Sequence, residues 1–107
     1  MGNFSKYDNP IIFKDFEKAF TVLKKNQCHE VLFAVAGYEN YQHCWMGYEA
    51  SCFWFGLTED GNSAYEFETF EEFIAAPVFD GKNLIELWSK IQIKSFDAFD
   101  PQYIFNI

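Results

Sequence analysis

Residues 52–73 read CFWFGLTEDGNSAYEFETFEEF, and this stretch decides the fold. Its two aromatic-rich segments, CFWFGL (52–57) and AYEFE (64–68), are typical of β-strands. The cluster TEDGNS between them contains a glycine and has the length of a hairpin connection. The stretch therefore predicts an antiparallel β-hairpin.

Two capping boxes predict short helices after the hairpin. Thr69 is followed three residues later by Glu72, which predicts a helix over residues 70–76 that the next proline ends. Asn83 is followed by Glu86 at the same spacing, and a stripe of apolar residues at helical spacing lies beyond it. The second box therefore predicts another amphipathic helix, whose buried stripe is formed by Leu84, Leu87, Trp88 and Ile91.

The rest of the chain supplies a longer helix and further strands. Asn9-Pro10 is a typical helix start, and apolar residues recur at helical spacing after it, so a helix is predicted over about residues 10–25. EVLFAVAG (30–37) is a short apolar run ending in glycine, which predicts a strand buried on both faces. Residues 38–48 have no clean period and fit either a strand or an aromatic loop, whereas IQIKSF (91–96) predicts a last strand.

This order of elements predicts the α+β class. An antiparallel sheet of three to five strands would carry the N-terminal helix and one or two further helices on one face. A chain of 107 residues has room for one such core, so residues 1–107 are expected to form a single domain.

The distribution of charge indicates the kind of partner. The formal net charge is −8, and residues 26–81 contain ten acidic residues but no lysine, while the whole chain contains no arginine. Direct binding to nucleic acid would need a basic stripe, and none is visible. An acidic middle instead favours a cationic protein partner, although acidity that only keeps the chain soluble would give the same composition.

The sequence contains no catalytic signature, so we expect a binding protein and not an enzyme, with no cofactor. Cys28, Cys44 and Cys52 lack CxxC spacing and are expected to be free thiols, although a metal-ligand set of Cys28, His43 and Cys52 is geometrically open. No apolar run approaches the roughly 18–20 residues of a membrane helix, and MGNFSKYDNP lacks the features of a signal peptide. We therefore expect a cytoplasmic protein without a membrane partner.

The candidate partner-binding residues are carboxylates of the hairpin and residues of the undecided segment before it. Carboxylates at alternate positions of a strand share one face, and amphipathic rings beside carboxylates are typical of protein-binding hot spots. The alternatives are a solvated sheet face for the carboxylates and core packing for the rings. The candidate set is Glu66, Glu68, Glu59, Asp60, Trp45, Tyr41, Tyr38 and Glu39.

The C-terminal part of the chain resembles a known class of proteins. Residues 70–101 read FEEFIAAPVFDGKNLIELWSKIQIKSFDAFDP, in which E-F-I-x-A-x-x-F-D-G-K-x-L precedes a Trp-containing stripe, a short strand and F-D-x-x-D-P. This order is similar to that of small bacterial immunity proteins, which pair with contact-dependent or other polymorphic toxins. The resemblance implies a single-domain cytoplasmic inhibitor that masks the active site of one toxin, and it carries over no individual site residue.

Charge favours a nuclease as that toxin. A nuclease must hold a polyanion, so its active site is basic, and an acidic, aromatic inhibitor can be steered into it. We therefore expect an immunity protein that neutralises a toxin with a basic active site. The alternative is a phage-type acidic DNA mimic or regulatory inhibitor of a nucleic-acid-binding protein, which should inhibit several unrelated targets.

Overall fold

The computed structural model describes residues 9–21, 28–58 and 64–105, which form five strands and two α-helices. The helices and strands are, in chain order, α1 (Phe13–Thr21), β1 (His29–Val35), β2 (Cys44–Glu49), β3 (Cys52–Gly56), β4 (Ala64–Phe67), α2 (Phe70–Ala75) and β5 (Ile91–Phe96). The strands form one sheet in the order β4-β3-β2-β1-β5, and each neighbouring pair is antiparallel. The predicted α+β class, with an N-terminal helix and a sheet of three to five strands, is confirmed.

Both helices pack against the same face of the sheet. Phe20 of α1 and Phe73 of α2 stack with their ring centroids 5.6 Å apart, and both rings contact Phe53 of β3 at 6.0 and 5.7 Å. Phe73 also stacks on Phe55 at 4.1 Å, and all four phenylalanines are buried. Because neither α1 nor α2 lies on the opposite side of the sheet, we call that side the open face.

The hairpin and the helix after it form as the sequence predicts. β3 and β4 pair antiparallel, and the turn that joins them falls outside the described residues. The amide of Glu72 donates to Thr69 Oγ1 at 3.1 Å, and the amide of Thr69 donates to Glu72 Oε1 at 3.2 Å. This reciprocal box fixes the start of α2, so α2 begins where the sequence places it.

The first helix begins later than predicted. Asn9 Oδ1 accepts a hydrogen bond from the amide of Ile11 at 2.9 Å, so this side chain caps a local turn instead of the helix. The Asn9 amide group also donates to the carbonyl of Trp88 at 3.0 Å. The carbonyl of Ile12 accepts the first bonds of α1, which therefore starts at Phe13, and the predicted residues 22–25 lie outside the described ones.

The predicted α-helix after Asn83 is wrong, although its capping hydrogen bonds form. The amide of Glu86 donates to Asn83 Oδ1 at 2.8 Å, and the amide of Asn83 donates to Glu86 Oε1 at 3.0 Å. The chain then makes turns and a short 3-10 helix at Trp88–Lys90 before it enters β5. The carbonyl of Lys90 accepts a hydrogen bond from the amide of Ala36, next to β1. This carbonyl is therefore not available for the hydrogen bond that would continue a helix.

Two strand predictions also need refinement. β1 is buried on its helix side at Val31, Phe33 and Val35, but Glu30 on the open face is exposed, so burial on both faces is wrong for this end of the strand. The undecided residues 38–48 are both a turn and a strand, since a 3-10 turn at 39–41 precedes β2.

Candidate partner-binding face

Strand pairing aligns an unusual row of residues across the open face. Glu30 of β1 is opposite Gly47 of β2, Gly47 is opposite Trp54 of β3, and Trp54 is opposite Glu66 of β4. One tryptophan is therefore flanked along the row by a glycine and by two carboxylates. Side chains directly opposite one another in an antiparallel pair lie within contact distance, so these four positions form one continuous surface.

The neighbouring row carries the second tryptophan of this face. Leu32 of β1 is opposite Trp45 of β2, and Trp45 is opposite Gly56 of β3. Trp45 and Trp54 are thus diagonal neighbours, and each has a glycine as its partner on the adjacent strand. Both tryptophans are half-buried.

Gly47 explains how the large ring of Trp54 fits on the sheet. A Cβ atom at Gly47 would lie 2.5 Å from Cζ2 and 2.7 Å from Cε2 of Trp54, so the Trp54 indole occupies the space that a side chain would need. A Cβ atom at Gly56 would lie 4.0 Å from Trp45 Cβ and from Trp54 Cζ3. Trp54 therefore lies against the backbone of β2, and this packing holds the ring in one place.

An open depression lies between the two tryptophans. It has a volume of about 460 Å³ and is lined by Glu30, His43, Trp45, Trp54, Gly56 and Thr58. The imidazole of His43 stands edge-on to Trp45 at a centroid distance of 6.1 Å. Its lining therefore combines aromatic rings with one carboxylate.

The open face carries an excess of negative charge. Among the residues of the five strands, the carboxylates are Glu30, Glu49 and Glu66, and Lys94 is the one lysine. Lys94 lies on the edge strand β5, at the register irregularity beside Leu32, and is separated from β3 by two strands. The cation therefore stands away from Trp54, whereas two carboxylates flank it.

The predicted partner-binding residues do not form one surface. Trp45 and Glu66 lie on the open face, but Glu68 falls in a bend after β4 ends, so its sharing a face with Glu66 does not follow from strand geometry. Glu39 is exposed in the 3-10 turn before β2. Glu59 and Asp60 lie outside the described residues.

The two predicted tyrosines are held by their own chain, away from the open face. Tyr41 is buried, its ring contacts Phe79 at 5.6 Å, and its hydroxyl donates to Asp80 Oδ1 at 2.9 Å. Burial, together with this hydrogen bond, raises the pKa of Tyr41 to about 12. Tyr38 packs beside Tyr41 at 6.2 Å and beneath the ammonium group of Lys90 at 5.5 Å. Core packing, the alternative considered for aromatic residues, describes Tyr41.

The candidate set drawn from the sequence does not include Trp54, Glu30 or His43, which belong to this face, because core packing was the favoured interpretation of Trp54. Phe53 and Phe55 are buried on the helix side, so alternation along β3 puts Trp54 on the open face. This alternation is visible in the sequence and could have predicted the position of Trp54. The alignment of Trp54 with Gly47, Glu30 and Glu66 depends on strand register, which the sequence does not display.

The described residues offer no metal cluster and one buried histidine–carboxylate pair. No group of three or more His, Cys, Asp or Glu side chains in the described ranges could hold a metal ion. His29 Nδ1 lies 2.8 Å from Asp97 Oδ2, and Asp97 Oδ1 accepts the amide of Glu30 at 2.8 Å. His29 is buried against the rings of Phe20 and Phe96, so this pair ties β1 to the turn after β5.

Burial also sets the chemistry of one thiol. Cys44 faces the helix side of the sheet, is fully buried, and has its pKa raised to about 12 chiefly by that burial.

Across the described parts of the chain, no helix has the length and apolar character that would let it cross a bilayer.

Compared with known protein families, with curated proteins and with solved structures, the chain shows no significant match.

Proposed function

We propose that this chain is a cytoplasmic immunity protein that binds and neutralises a cognate bacterial toxin, a nuclease with a basic active site, through the open face of its sheet. One observation carries this proposal: a row across the open face in which Trp54 lies on Gly47 between the exposed carboxylates of Glu30 and Glu66. The motif order of residues 70–101 and the net charge of −8 favour the same function.

The physical argument joins anchoring with steering. Tryptophan is enriched among the few interface residues that carry most binding energy, because a rigid ring buries a large area at little entropic cost. Trp54 is held in place by the sheet before any partner arrives, so little ordering of this ring is needed on binding. The carboxylates around them attract a basic surface and accelerate its approach.

The composition of the face favours a specific protein inhibitor over a DNA mimic. A mimic of nucleic acid needs closely repeated negative charges, whereas the strand residues of the open face carry three carboxylates spaced among tryptophans and glycines. We therefore expect one partner and no inhibition of unrelated nucleases.

The gene next to the one that encodes this chain provides the test. We expect a neighbouring gene for a large toxin, whose C-terminal domain stops growth when expressed alone and is tolerated when this chain is co-expressed. A charge-reversed variant, Glu30→Lys with Glu66→Lys, should lose this protection. Its matched control, Glu17→Lys with Glu71→Lys, changes the net charge equally at exposed positions of α1 and α2 and should keep it.

Two results would overturn the proposal. The immunity function would be contradicted if the neighbouring genes encoded metabolic enzymes and no toxin. It would also be contradicted if the neighbouring toxin stopped growth in cells that co-express this chain. Protection that both double variants retain would instead place the partner on another surface.

The rate of association with the toxin should depend on salt. Exposed charges act over about 30 Å at 0.01 M ionic strength but only about 8 Å at 0.15 M. We expect the association rate constant, measured by stopped-flow fluorescence, to fall about tenfold or more between these conditions. A rate constant that is the same at both ionic strengths would contradict steering by the acidic face.

A further inference from the structure

We infer that the depression between Trp45 and Trp54 is a receptor for one arginine side chain of the partner protein. This inference rests on the proposed function and specifies the chemistry by which the open face recognises its partner. It starts from the way in which Trp54 is held. Atoms Cζ2 and Cε2 of its indole lie against the backbone at Gly47, and the half-buried ring lines the depression.

An aromatic ring that lines an open depression attracts cations. The π-electrons of an indole make its face negative, and tryptophan is the best of the aromatic residues at holding a guanidinium or ammonium group within about 6 Å. A second indole, that of Trp45, lines the same depression. A long cationic side chain that enters here contacts two aromatic groups, and its apolar stem packs against them while its charged head stays near water.

The surrounding charges select a cation over a neutral or anionic group. Glu30 lines the depression, and Glu66 stands opposite Trp54 on β4. Both carboxylates are exposed and belong to the same row as the ring. An anion at this place would be repelled by both of them, whereas a cation is attracted by the carboxylates and by the ring together.

Arginine fits this arrangement better than lysine. A guanidinium group is planar, so it can stack on the indole of Trp54 and donate hydrogen bonds in its own plane to a carboxylate at the edge. An ammonium group is a strongly hydrated point charge and cannot make both contacts over the same area. The basic active site of a nuclease is also a surface on which arginine is expected.

The third tryptophan of the chain provides an internal reference. Trp88 is buried on the helix side, and its indole N–H donates to the carbonyl of Ile11 at 2.7 Å. Three indole N–H signals are therefore expected in a ¹H–¹⁵N spectrum, and single Trp→Phe variants assign them. The probes are hexa-arginine, hexalysine and hexacitrulline, because citrulline has the shape of arginine without its charge.

We expect hexa-arginine to shift the signals of Trp45 and Trp54 along a saturable curve and to leave that of Trp88 in place. Hexalysine should bind more weakly, and hexacitrulline should not shift the signals. Replacing Glu30 and Glu66 by glutamine should weaken hexa-arginine binding about fivefold. The matched control, Glu17→Gln with Glu71→Gln, should bind hexa-arginine as the unchanged protein does.

Any of three results would overturn the inference: no shift at Trp45 and Trp54, equal affinity of the Glu30→Gln, Glu66→Gln variant, or equal affinity for hexalysine. This failure is distinguishable from failure of the proposed function. A chain that protects cells from the toxin but does not bind hexa-arginine through Trp54 is an immunity protein with another mode of recognition. A chain that binds hexa-arginine without relieving any toxin has the receptor but a different function.

Discussion

We expect Phe73→Ala to lower the free energy of unfolding by about 3–5 kcal/mol, the usual cost of removing a fully buried phenylalanine side chain. Phe73 is fully buried, and its ring stacks on Phe55 at 4.1 Å and on Phe20 at 5.6 Å. One side chain therefore joins α2 to the sheet and to α1, and its loss leaves a cavity at the meeting point of all three. Urea denaturation followed by tryptophan fluorescence measures the change.

The size of this effect decides whether the variant folds at all. Domains of this length are stable by about 5–15 kcal/mol, so the lower end of that range leaves little margin after the substitution. Tyr103→Ala is the control, because Tyr103 is 76% exposed and its truncation should change stability by no more than about 0.5 kcal/mol. A cost below about 1 kcal/mol at Phe73 would contradict its role in the core, since such a value is typical of sites that are not packed.

The sequence predicts those parts of the fold that depend on local interactions. The Thr69–Glu72 box and α2 form as expected because every hydrogen bond involved lies within one turn. The Asn83–Glu86 box makes the same local bonds, but pairing of β5 with β1 begins at Ile91 and ends the helical path. The difference between the two segments is non-local, so the spacing of residues cannot reveal it.

The sequence predicts which types of residue form the candidate site, but it identifies only some of the individual residues. The amino-acid composition predicts an acidic surface with aromatic side chains. In the structure, Trp45 and Glu66 lie together on the open face. Tyr41, which was predicted to face a partner because it is an amphipathic ring beside carboxylates, lies in the 3-10 turn before β2, and its side chain packs against Phe79. The Trp54–Gly47 pair depends on the register of two strands, which only the folded sheet defines.

Gly47→Ala should displace the Trp54 ring, whereas Gly56→Ala should leave it in place. The two glycines lie on adjacent strands, and each is opposite a tryptophan. The same substitution can therefore be compared at the two positions. A methyl group at Gly47 would lie 2.5 Å from Trp54 Cζ2 and would also collide with the carbonyl oxygen of His29, which belongs to the backbone and cannot rotate away. A methyl group at Gly56 would make only ordinary contacts at 4.0 Å.

The expected result for Gly47→Ala is a loss of about 1–3 kcal/mol in the free energy of unfolding, typical of an extra group forced into a packed site. The Trp54 ring must also leave its position, so its indole N–H signal should move in the unbound protein and hexa-arginine should bind at least about tenfold more weakly. Gly56→Ala should keep the Trp54 signal in the unbound protein, and it should be as stable as the unchanged protein or up to about 1 kcal/mol more stable, because alanine restricts the unfolded chain. Equal stability of the two variants, with the Trp54 signal unmoved in both, would mean that Trp54 is not held by Gly47. The ring would then be a mobile side chain on the sheet surface, and an anchor held in place before the partner arrives would no longer explain binding.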